Sequence, residues 1–145
     1  MTPDVNVLLA AFRSDHPQYT VANAALRAGL AAAGAGSSFV LRPMVVAGFV
    51  RLATHPKVFR EPAPAQAALA FVDSILAVPG VEMAEVGREW PAFRRVLLEH
   101  SVSGNDVPDA WIAAAVQTLG EHLVTFDRGF SRWLGRHELK VLSPR

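Results

Sequence analysis

The segment VPDAWIAAAVQTLGEHLVTFDRGF, residues 107–130, constrains the fold most. Its first half is an apolar run with Pro108 at the front, where a missing N–H costs a helix nothing, and Gly120 at the end, where helices stop. Its second half, HLVTF, is a short apolar run of strand type. The same alternation recurs along the chain. Helices are expected over VNVLLAAF after Asp4, over PQYTVANAALRAGLAAAG with Pro17 in its first turn, and over PMVVAGFVRLAT, PAQAALAFVDSILAVP and REWPAFRRVLLEHSV. SSFVLR, VEMAEV and LKVLSP read as further short strands, VEMAEV as a half-buried one. Short strands alternating with helices predict an α/β fold: a short, mainly parallel central sheet flanked by helices. A chain of 145 residues without repeats or linkers is expected to form a single domain, residues 1–145.

Three acids stand at the ends of these apolar elements. Asp4 follows a first strand that only Met1, Thr2 and Pro3 can supply, so that strand is very short unless the true start lies upstream. Asp109 opens the helix of the 107–130 segment, and Asp127 follows its strand. Read singly, Asp109 is a helix cap and Asp127 a turn residue. Read together they differ, because ligands of open α/β sheets collect at the carboxyl ends of parallel strands. Carboxylates crowded there repel one another unless something positive neutralises them, and a hard divalent cation held by oxygen ligands does so.

Composition narrows the alternatives. With no cysteine, disulfides and thiolate metal sites are excluded. The five histidines show no metal-ligand spacing. A net charge of +1 neither demands nor excludes a nucleic-acid partner. No basic leader is present, and charges interrupt every apolar stretch before it could span a bilayer, so a cytoplasmic protein without membrane attachment is expected. No serine nucleophile elbow or phosphate-binding loop appears.

The order DVNVLLAAF, GFVRLATHPKVF and VPDAWIAAAVQTLGEHLVTFDRGF, followed by a short last strand, resembles the PIN-domain ribonucleases, most closely the VapC toxins of bacterial toxin–antitoxin pairs. The resemblance implies a PIN-like fold and a metal-dependent endoribonuclease that uses Mg²⁺ or Mn²⁺ to activate water against RNA. It makes Asp4 and Asp109 the metal ligands, with Asp127 completing the catalytic acids and Asn6 and Thr125 as polar neighbours. It also implies a cognate VapB-like antitoxin and a homodimer, for which Trp90, Phe93 and Trp111 are the candidate anchors. One departure stands out: Gly48 occupies a helix position where many members carry a glutamate. Glycine there brings no local benefit in helix propensity. Asp106, one turn before Asp109, is an accessory acid in that case, although an N-cap role is the simpler reading. The rival to catalysis is a PIN-like module that binds RNA or protein with a weak or inactive site. Arg51, Lys57, Arg60, Arg128, Arg132 and Arg136 are candidate phosphate contacts or plain solvated charges; Trp111 and Trp133 could stack on bases, but burial in the core or an interface is the expected role.

Overall fold

In a computed structural model that describes residues 1–143, five short strands and six α-helices alternate. Along the chain run β1 (Thr2–Pro3), α1 (Val5–Phe12), α2 (Tyr19–Gly34), β2 (Phe39–Leu41), α3 (Pro43–Ala53) and α4 (Ala65–Leu76). There follow β3 (Val81–Met83), α5 (Trp90–Glu99), α6 (Val107–Leu119), β4 (Leu123–Thr125) and β5 (Leu139–Val141). Every strand pair is parallel: β1 with β4, β4 with β5, and β2 with β3. The strands form a three-stranded sheet, β1-β4-β5, and a two-stranded one, β2-β3; the Val40 N–H donates to the Met1 carbonyl at 2.9 Å and sets β2 beside β1, so the strands lie in the order β3-β2-β1-β4-β5. The chain therefore leaves β1 in one direction for β2 and returns on its other side as β4. That reversal opens a crevice at the carboxyl ends of β1 and β4, where parallel sheets bind ligands.

The predicted α/β architecture is the one observed, but the strands are shorter than the stretches read for them: SSFVLR yields Phe39–Leu41 and HLVTF yields Leu123–Thr125. Gly120, with φ +65°, takes the left-handed conformation that ends α6 two residues before β4. Three details differ. α2 begins at Tyr19 rather than at Pro17, which stays in a turn closed by Tyr19 N–H on the His16 carbonyl. β3 spans only three residues, and Glu82 and Met83 are exposed, because β3 is an edge of the sheet with no neighbour outside it. Pro144, the end of the predicted last strand, lies outside the described residues.

The core is largest around α1, whose residues 7–11 are all buried. Phe12, Phe49 and Phe71 meet there with ring centroids 5.3–5.6 Å apart and tie α1, α3 and α4 together. Next to Phe49, Gly48 has the local role that the sequence did not suggest. A Cβ built on it would lie 2.9 Å from Val5 Cγ2, closer than real contacts allow, so the glycine lets α3 approach α1. Filling it gains about 1 kcal/mol of helix propensity but overpacks the contact by about 1–3 kcal/mol. Gly48→Ala is thus expected to lower the denaturation midpoint, and adding Val5→Ala to recover most of that loss. A double-mutant cycle in urea checks the coupling.

Candidate active site

Asp4 sits directly after β1 and is the N-cap of α1, where its Oδ1 accepts the Val5 N–H at 2.7 Å. Its other oxygen accepts the Thr125 hydroxyl at 2.6 Å and Asn6 Nδ2 at 3.1 Å. Thr125, the last residue of β4, in turn accepts from Asn6 Nδ2 and from the Asp127 N–H. Asn6 Oδ1 accepts the Phe126 N–H at 3.2 Å, which fixes the orientation of the amide. The expected polar neighbours thus form a network that locks the Asp4 carboxylate at the joint between β1 and β4.

Asp109 lies in the first turn of α6, half-buried, and its carboxylate has no hydrogen-bond partner among the described residues. It does not cap the helix. Asp127 is exposed and caps the short 3₁₀ turn after β4, accepting the Gly129 N–H at 2.7 Å. All three acids line one cleft of about 610 Å³, together with Asn6, Gly48 and Arg51. Asp106 does not. It stands at the N-cap position of α6 without making a capping bond, and pairs with Arg132 at 3.2 Å around a separate hollow. Of the six candidate phosphate-binding cations, Arg51 alone lines the cleft.

The electrostatics are those of carboxylates lacking a counter-charge. Burial raises the Asp4 carboxyl to about 6; the bonds from Thr125 and Val5 oppose the rise, and Asp109 and Asp127 add to it. Asp109 is also raised, first by burial and then by Asp127 and Asp106, against a weaker pull from Arg132. For Asp4 the folded state holds its proton more tightly than the unfolded chain does. Its contribution to stability is therefore full below the ordinary carboxylate range and is lost as pH rises through about 6, at a cost on the order of 3 kcal/mol. A cation in the cleft would relieve that cost. Among the described residues no three His, Asp or Glu side chains gather into a group that could cage an ion alone. The oxygen donors present fit Mg²⁺ or Mn²⁺ held by one or two carboxylates plus waters.

Two charged residues without any motif to flag them, Arg42 and Glu89, prove to be buried, and both line a separate hollow. Glu89, 5% exposed, accepts Trp111 Nε1–H at 2.7 Å and the Gly87 N–H. Burial works against its charge, but those bonds and the nearby Arg42 hold its carboxyl below the usual range. Only their burial distinguishes them, and sequence spacing carries no trace of it. Trp133 is in the core as expected. Of the candidate dimer anchors, Phe93 and Trp111 line the acidic cleft and Trp90 is largely exposed.

The chain has known counterparts. The PIN domain family matches residues 1–133. VapC ribonuclease Mb2897 of Mycobacterium bovis is 35% identical over 90% of this chain and 87% of its own. Ribonuclease VapC31 of Mycobacterium tuberculosis is 37% identical over 90% of both chains. This chain belongs to the VapC family of PIN-domain proteins. Solved PIN-fold structures superpose at lower identity: VapBC2 of Rickettsia felis, bound to a DNA fragment from its promoter, has a TM-score of 0.64 at 15% identity and 98% coverage of both chains. Mycobacterium tuberculosis VapC20, a toxin that cleaves the sarcin-ricin loop, has a TM-score of 0.60 at 19% identity, covering 90% of this chain and 92% of its own. No helix among the described residues of this VapC protein is long and apolar enough to cross a membrane.

Proposed function

We propose that this VapC protein is a metal-dependent endoribonuclease, the toxin of a type II toxin–antitoxin pair, acting in the cytoplasm. The observation that carries the reading is the pair Asp4 and Asp109 in one cleft at the carboxyl ends of β1 and β4, with Asp4 locked by Asn6 and Thr125 and Asp109 without a hydrogen-bond partner among the described residues. Asp4 and Asp109 are the groups to hold Mg²⁺ or Mn²⁺, and Asp127 supplies further negative charge at the rim. Such an ion, when bound, polarises the scissile phosphate and makes a bound water nucleophilic near neutral pH. Thr125 and Asn6 keep the Asp4 oxygens aimed, and Arg51 offers the strand a phosphate contact. The partner is a VapB-like antitoxin, a reading supported by the VapBC neighbour, whose basic side chain would neutralise the acids. A homodimer belongs to the same reading.

Calorimetric titration with Mn²⁺ across pH tests the ligand assignment. Because Asp4 must lose its proton to bind, affinity is expected to fall at least about tenfold per pH unit below about 6, with protons released as the ion binds. Thr125→Val removes a bond that favours the charged carboxylate and should move that midpoint upward. Binding that is independent of pH from 5 to 7.5, and indifferent to Thr125→Val, would place the ion elsewhere.

A further inference from the structure

Arg42 follows β2 and is 2% exposed, and its Nε and Nη2 atoms are buried without an acceptor among the described residues. Both lie on one edge of the guanidinium, where two parallel N–H bonds match the two oxygens of a carboxylate. Of the buried side-chain atoms without a hydrogen-bond partner, only these belong to a charged group. Burial lowers the pKa of Arg42; Glu121 and Glu89 pull against it, but neither forms an ion pair with it. Both acids are committed elsewhere, Glu121 to Ser38 and the Met1 ammonium, Glu89 to Trp111 and the Gly87 N–H. A buried charged donor is costly to keep unpaired, so it marks a place for an acceptor.

Arg42 lines a hollow of about 320 Å³ between β2, β3 and the end of α6, within the roughly 300–1,000 Å³ of small-ligand clefts. The hollow shares no lining residue with the acidic cleft. Buried Arg42 and Glu89 form its floor, and the exposed Glu82, Glu85 and Arg88 form its mouth. Arg88 offsets only one of the two acids at the mouth, so a ligand that is negative throughout, such as phosphate or nucleic acid, is repelled there. A ligand with a carboxylate at one end and a cation at the other meets both layers of charge. The apolar Val40, Met83 and Leu119 between them suit a short aliphatic body. We propose that this hollow binds a small zwitterion, an α-amino acid with an apolar side chain, its carboxylate on Arg42 and its ammonium toward Glu82 and Glu85. The site stands independently of the ribonuclease reading.

The test is calorimetric titration of the whole protein with L-leucine, L-methionine, isocaproate, isopentylamine and inorganic phosphate. Isocaproate is leucine without its amine, and isopentylamine is leucine without its carboxylate. At least one of the amino acids is expected to bind about tenfold or more tighter than isocaproate, isopentylamine or phosphate. Arg42→Met should abolish amino-acid binding and leave the ligand-free melting temperature close to or above that of the parent, because it removes an unpaired buried charge. Glu82→Gln combined with Glu85→Gln changes only exposed side chains, and should erase the preference over isocaproate without weakening isocaproate itself. No binding of either amino acid, tighter binding of phosphate, or binding that survives Arg42→Met would overturn the proposal. So would a fall of about 10 °C or more in the melting temperature of Arg42→Met, the size expected for a broken buried ion pair, since Arg42 would then be held by Glu89 and not kept for a ligand.

Discussion

Replacing Asp109 with asparagine is expected to lower RNA cleavage at least ~100-fold, because altering even an outer partner of a metal ligand costs 10–100-fold. Stability should not fall with it. The Asp109 carboxylate has no hydrogen-bond partner among the described residues, and its raised pKa records burial and repulsion from Asp127 and Asp106. Removing the charge relieves that repulsion, so the metal-free variant should melt at or above the temperature of the parent. Asp4 is a poorer probe, since its carboxylate also caps α1 and anchors Thr125 and Asn6. An activity loss with unchanged or raised melting temperature identifies Asp109 as a group kept for chemistry at some cost to the fold. A matching loss of both would assign it to structure.

The second large effect is on the scaffold. Phe49 is fully buried and packs edge-on against Phe12 and at a tilt against Phe71, so Phe49→Ala should cost about 3–5 kcal/mol in urea denaturation. Against a typical total of about 5–15 kcal/mol this is a large fraction. The cleft should suffer as well, because Phe49 holds the helix whose Met44, Gly48 and Arg51 line it. Cleavage by the variant is therefore expected to fail with rising temperature well before that of the parent. A cost below about 1 kcal/mol would mean that the three rings do not tie α1, α3 and α4 together.

How much of this the sequence carried depends on the range of the interaction. Pro108 and Gly120 bracket α6 through local backbone chemistry, and the apolar run 123–125 follows at once, so helix, stop and strand were all legible. Asp4, Asp109 and Asp127 were legible as acids at element ends, and the parallel fold lines one cleft with them. Asp106 was not legible as the partner of Arg132, because 26 residues separate the two and only the 3₁₀ turn after β4 brings the arginine back. Gly48 looked like a missing acid and nothing more. Its reason is Val5 on another helix, a contact with no signature in either local stretch. The same holds for Trp111, whose place on the cleft wall depends on Glu89, 22 residues earlier.

The most direct measurement is cleavage of total RNA by the purified protein and by folded Asp109→Asn, each with Mg²⁺, with Mn²⁺ and with chelator. Expected are fragments from the parent only when a divalent ion is present, and none from the variant under any condition. Undiminished cleavage in chelator, equal activity in Asp109→Asn, or no cleavage with either ion would contradict a metal-dependent ribonuclease site at Asp4 and Asp109.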